Sequence, residues 1–143
     1  MNCSQAKLAD VTVSVSSNSI ACTVPDSNWA AETTVSGNIV TKILRNGMTD
    51  QVSPIRIIAG NTYSLSISAN GKTIDIKDCY ILKVTTYSEN KDEEGNISGW
   101  SESATRYDGE GLPKEPGRYR IIVPVLATAE TAETWCSFTF IIE

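Results

Sequence analysis

Pro116-Gly117-Arg118-Tyr119-Arg120-Ile121-Ile122-Val123, with Trp135 to Ile142 behind it, is the stretch that decides the fold class. The Pro-Gly pair predicts a turn. Beyond it Tyr119, Ile121, Val123 and Val125 fall on one side of an extended chain, and Arg118 and Arg120 on the other. After a polar connection, Thr128 to Thr134, a second run alternates Cys136, Phe138, Phe140 and Ile142 with Ser137 and Thr139. Two period-2 runs joined by a few polar residues read as a β-hairpin with one apolar side. A face of that size has to be covered, so the upstream chain is expected to supply a second sheet.

Upstream, short strands recur. Val11, Val13 and Val15 alternate with Thr12, Ser14 and Ser16, and Ile20, Cys22 and Val24 continue the pattern as far as Pro25. Thr33 to Arg45 reads as one long strand with Val35, Ile39 and Ile43 inward and a bulge at Gly37. Asn46-Gly47 is a strong two-residue hairpin signal. Ile55 to Ile58 follows Pro54, and Tyr63, Leu65 and Ile67 then alternate strictly with serines. Asn70-Gly71 predicts a second tight turn, returning through Ile74 and Ile76, and Tyr80, Leu82 and Val84 mark a strand running to about Tyr87. Pro124, which cannot donate to a ladder, requires a bulge or an edge position inside the closing hairpin. With eight to nine strands, frequent turn signals and no amphipathic helix, the expected fold is all-β, a two-sheet β-sandwich of antiparallel strands. Residues 1–8 read as an arm and 9–143 as one domain, since no repeat or composition break divides them.

Composition narrows the function classes. A chain of 143 residues can bury a core without staples, and 17 carboxylates against 12 Lys and Arg disfavour a nucleic-acid partner, which needs a basic stripe. No apolar run approaches the about 20 residues of a membrane span, and the N-terminus lacks the apolar stretch of a secretory signal. The expectation is therefore a chain used without Sec export, or one cut from a larger protein. Without histidine, Ser-His-Asp, Cys-His and histidine–metal chemistry are all removed, and no enzymatic activity is expected. Cys3, Cys22, Cys79 and Cys136 are too widely spaced for a Cys-x-x-Cys zinc site. Reduced thiols packed as small hydrophobes are the favoured reading, with a Cys22–Cys136 or Cys79–Cys136 bridge left open.

The strand pattern with Pro116-Gly117-Arg118-Tyr119 before a long strand resembles the penultimate strand of immunoglobulin-like domains. Val11 to Val24, followed by Thr33 to Arg45 and Asn46-Gly47, is similar to the immunoglobulin-like modules of bacteria and phages. That resemblance covers most of residues 9 to 142. It implies a non-enzymatic structural or adhesion module of a tail-fibre, attachment or capsid-decorating kind, on a virion or extracellular surface. The implied partners are other protein subunits of a multi-copy assembly. The chain departs from antibody domains in having no cysteine in the penultimate strand.

Candidate sites cluster between Glu89 and Glu115, a stretch without period that holds eight carboxylates and reads as a long acidic loop. Within it Asn90-x-Asp92-x-Glu94-Gly95 is similar to the first half of a calcium loop, where oxygen ligands alternate before a glycine turn. The twelfth position is Ser101, so a solvated acidic loop is weighed against calcium as cofactor. Trp100 and Tyr107 lie in the same stretch, and Trp29 in another turn-rich one. Three readings stay open for these rings: capping the core, anchoring a protein interface, or stacking on sugars of a cell-surface glycan, as in a carbohydrate-binding module.

Overall fold

The computed structural model describes residues 7–8, 10–24, 31–45, 47–127, 129 and 131–143. Thirteen strands form among them: β1 (Lys7–Leu8), β2 (Val11–Ser17), β3 (Ile20–Cys22), β4 (Glu32–Ser36), β5 (Ile39–Leu44), β6 (Thr49–Ile57), β7 (Tyr63–Ala69), β8 (Lys72–Ile74), β9 (Tyr80–Lys91), β10 (Ile97–Arg106), β11 (Gly117–Val125), β12 (Thr131–Ala132) and β13 (Thr134–Ile142). One 3₁₀ turn, Ile76–Asp78, is the helical exception among the described residues. The chain is all-β. One sheet runs β4-β5-β2-β7-β8 and a second β10-β9-β11-β13-β6-β3, while β1 and β12 form a small parallel pair.

The closing hairpin forms as its alternation predicts. β11 and β13 pair antiparallel without a break from Gly117↔Ile142 to Val125↔Thr134. Tyr119, Ile121, Val123, Cys136, Phe138, Phe140 and Ile142 point inward, and they meet Val11, Val13 and Val15 of β2, Val40 and Leu44 of β5, and Ile67 of β7 in one core. Each fully buried aliphatic side chain there stabilises the fold by about 1.5–3 kcal/mol. The core is finished at one end by linked rings. Tyr119 stacks on Phe140 at 5.3 Å, Tyr63 is tilted on the same ring at 5.9 Å, and Tyr107 meets Tyr119 edge-on at 6.0 Å. The Tyr119 hydroxyl donates to the Glu115 carbonyl at 2.8 Å, and the Tyr63 hydroxyl to the Pro113 carbonyl at 2.5 Å. Two hydroxyls thus pin the segment that leads into β11.

Several sequence expectations are corrected. Gly37, with φ +59°, turns the chain and does not bulge a strand: Glu32–Ser36 and Ile39–Leu44 pair as a hairpin with Ser36 opposite Ile39. That register sets Val40, Lys42 and Leu44 beside Val15, Val13 and Val11, so these face the core. Val35 and Ile39, expected inside, are 41% and 46% exposed. Lys42 is fully buried, and its Nζ donates to Asp50 Oδ2 at 2.7 Å, Ser53 Oγ at 2.7 Å and Thr33 Oγ1 at 2.9 Å. All three ammonium donors are used, which is what allows a lysine there.

Gly47 does turn, with φ +76° and the Met48 N–H donating to the Arg45 carbonyl. The turn delivers β5 into β6 of the other sheet, however, so no hairpin forms; Asn46 itself lies outside the described residues. Asn70-Gly71 is a true hairpin turn, both residues having positive φ (54° and 72°), between β7 and β8. β3 leaves the first sheet to pair with β6, and Val24 beyond it is 56% exposed. The sheets are not wholly antiparallel either, since β13 and β6 run parallel.

Pro124 takes the edge position that its missing N–H demands. β9 pairs with β11 only from Arg118 to Ile122, so at Pro124 that flank has no strand partner among the described residues. The expected long acidic loop is the largest correction. β9 continues to Lys91 and β10 returns from Ile97, pairing as far as Arg106↔Leu82. A register shift between Ser103 and Ala104 marks a bulge, and the contacts below show that this hairpin bends back over the sheet. Polar side chains with no apolar alternation hid the strand, because most of this arm is wet on both faces.

Candidate binding surface

The outer face of the six-stranded sheet follows from register. Residues directly opposite in an antiparallel pair share a face, so Tyr80, Ile122 and Ser137 form one row and Pro124 and Trp135 the next. Leu82, Arg120 and Thr139 form the row on the other side of Ile122. The β9–β10 arm folds over this last part, because Arg120 reaches across β9 to Glu102 of β10. Arg120 Nε donates to Glu102 Oε1 at 2.6 Å, Nη2 lies 2.5 Å from the same oxygen, and Nη1 donates to Ser137 Oγ at 3.1 Å. The Ser137 hydroxyl donates in turn to Thr49 Oγ1 at 3.1 Å. The pair is close to dry, the Arg120 and Glu102 side chains being 6% and 10% exposed.

Arg118, one row further, stacks its guanidinium 3.5 Å from the centre of the Tyr87 ring. Burial pulls that guanidinium down from its ordinary pKa, and Tyr87 and the carboxylates of Glu102 and Glu89 act against the shift. The Tyr87 hydroxyl donates to Glu89 at 2.7 Å. Desolvation, reinforced by that bond, pushes the phenol up to about 12, so Tyr87 is neutral across the physiological range. These polar contacts clasp the arm to the sheet.

Around the clasp stand exposed aromatic rings. Trp100 lies 5.4 Å from the Arg120 guanidinium carbon and is 39% exposed. Tyr80 is 52% and Trp135 57% exposed, on either side of Ile122 and Pro124. From strand spacing and rise their Cα atoms lie on the order of 12 Å apart. The result is an aromatic surface with an apolar floor, walled on one side by the arm. Tyr80 and Trp135 escape sequence reasoning because each occupies an outward position at the start of a strand, and their exposure depends on which strands flank them. The alternation from Cys136 to Ile142 already assigned Trp135 to the polar face, which was the available signal.

The sequence-derived candidates do not assemble as one site. Trp100 belongs to this face. Tyr107 lies past the other end of β10, half-buried against the core, its hydroxyl so close over Gly109 that an added Cβ would sit 2.1 Å away. Trp29 lies outside the described residues. Asn90, next to last in β9, pairs with Gly99, and its carbonyl accepts from Ser98 Oγ. Asp92 Oδ1 accepts from the N–H groups of Glu94 and Asn96 at 2.9 Å, which engages that oxygen in the hairpin turn. Among the described residues no group of three or more Cys, Asp or Glu side chains is arranged to hold a metal ion.

Cys22, Cys79 and Cys136 are free thiols, and burial raises the pKa of each, that of Cys79 to about 11. They act as small hydrophobes. No helix among the described residues is long and apolar enough to cross a membrane. Compared with known protein families, curated proteins and solved structures, the chain matches none.

Proposed function

We propose that the chain is a non-catalytic adhesion module, an immunoglobulin-like β-sandwich carried in many copies by a bacterial or phage surface assembly, whose ligand is a cell-surface glycan. The single observation that carries the reading is the Tyr80–Trp135 pair, exposed on one sheet face with Trp100 beside it. Flat rings on a rigid sheet suit the apolar C–H face of a sugar, and their ordering cost on binding is small because the strands fix them. The neighbouring strand order β9-β11-β13 supports the immunoglobulin-like assignment, as does the Tyr119 hydroxyl bonded back to Glu115 just before β11. The assembly and its surface location rest on the sequence resemblance. Each site is shallow, so useful avidity comes from multiplicity.

The test is to display the domain on a multimeric scaffold and measure its binding to bacterial cells and to a glycan array. Wild type is expected to bind, and Trp135→Ala and Tyr80→Ala to lose most binding while keeping the fold. Binding that survives both substitutions would sink the assignment of this face.

A further inference from the structure

We infer that a cavity of about 580 Å³ beside the aromatic face is the subsite that takes the terminal hexose of the glycan, an inference that rests on the reading above. Its lining combines apolar residues, Ile74, Pro124 and Leu126 among them, with the polar residues Lys72, Thr73 and Asp78. The volume falls in the range of small-ligand sites, where an apolar lining is combined with a few converging polar groups.

Three features tie it to the exposed rings. Pro124 lines the cavity and is also the cross-strand partner of Trp135. Asp78 closes the 3₁₀ turn two residues before Tyr80, so one short segment supplies both a lining residue and a platform ring. Leu126, 77% exposed, lines it immediately after β11 ends at Val125. A hexose presents an apolar C–H face and a ring of hydroxyls, and this lining offers the complementary residue types: apolar side chains for the face, an acceptor and donors for the hydroxyls. The rings that follow in the chain would lie along Tyr80 and Trp135.

The backbone that carries the polar lining residues is also anchored. The Asn70-Gly71 turn fixes the start of β8, and the Asp78 N–H donates to the Asp75 carbonyl at 2.9 Å, which anchors the 3₁₀ turn without engaging the Asp78 carboxylate. An Asp78→Asn substitution therefore keeps the backbone anchor and removes only the charge-assisted acceptor.

The test uses the full chain and an array of neutral oligosaccharides, glucans, mannans and galactans, followed by calorimetric titration of the best binder. Asp78→Asn and Lys72→Ala are each expected to weaken binding by about ten-fold or more with an unchanged melting temperature. Amide signals of Ala69 to Ile74 and of Leu126 and Ala127 are expected to shift on titration. If Trp135→Ala abolishes binding while Asp78→Asn and Lys72→Ala bind as wild type, the cavity is not the subsite and the aromatic face stands. A blank array with the multimeric wild type overturns both.

Discussion

Lys42 Nζ of β5 lies 2.7 Å from Asp50 Oδ2 of β6, and the two side chains, 0% and 1% exposed, bridge one sheet to the other. Removing one partner strands the other charge in the core. Lys42→Met is therefore expected to cost about 3–5 kcal/mol, whereas Lys42→Met with Asp50→Leu recovers most of the loss. Urea denaturation of the two variants checks this, and a double variant no more stable than the single would contradict it.

The Tyr119 hydroxyl bond to Glu115 contributes at the scale of an ordinary hydrogen bond. Tyr119→Phe keeps the ring stacked on Phe140 and is expected to lose about 1 kcal/mol, with the fold intact. A larger loss would mean that the 107–116 segment detaches when its pin is cut, which amide exchange in that segment would reveal.

Two glycines predict opposite kinds of failure. Gly71 has open space around it but φ +72°, so Gly71→Ala is expected to cost about 1 kcal/mol through backbone strain alone. Gly109 has no such φ, yet an added Cβ would collide with the Tyr107 ring. Gly109→Ala should displace that ring from Tyr119, and near-ultraviolet circular dichroism reads the change.

Stability is expected to fall at alkaline pH. Cys79 and Tyr87 are charged only when deprotonated, and the fold raises their pKa values from 9.0 to about 11 and from 10.0 to about 12. Their contributions are complete below pH 9 and are lost as pH rises through the folded-state values. Denaturation midpoints between pH 8 and 11 should decline from about pH 9, and less steeply in Cys79→Ala.

How much of this was legible in the sequence depends on which faces are wet. β2, β7, β11 and β13 each carry apolar residues on their inner side, and their alternation places Val13, Ile67, Tyr119 and Phe138 correctly. The β9–β10 arm has little dry surface, so its Ser, Thr and Glu residues show no period and resemble a loop. Lys42 misled in the other sense, since a lysine at a core position is explained only by Asp50 and Ser53 across the gap. Trp100 could be singled out as an exposed ring, but its neighbours Tyr80 and Trp135 lie 20 and 35 positions away in the chain. Only strand order brings the three together.

The position of β13 has a consequence for the order in which the domain can be made. This last strand lies between β11 and β6, and Thr49 of β6 waits for Ser137, 88 positions downstream. As the chain leaves a ribosome, the six-stranded sheet stays in two pieces until residues 134 to 142 emerge. Until then the flanks of β6 and β11 are open edges, free to pair with another nascent chain. A polypeptide stopped before Trp135 would retain both edges permanently, and truncation there should yield aggregate in place of a smaller folded domain.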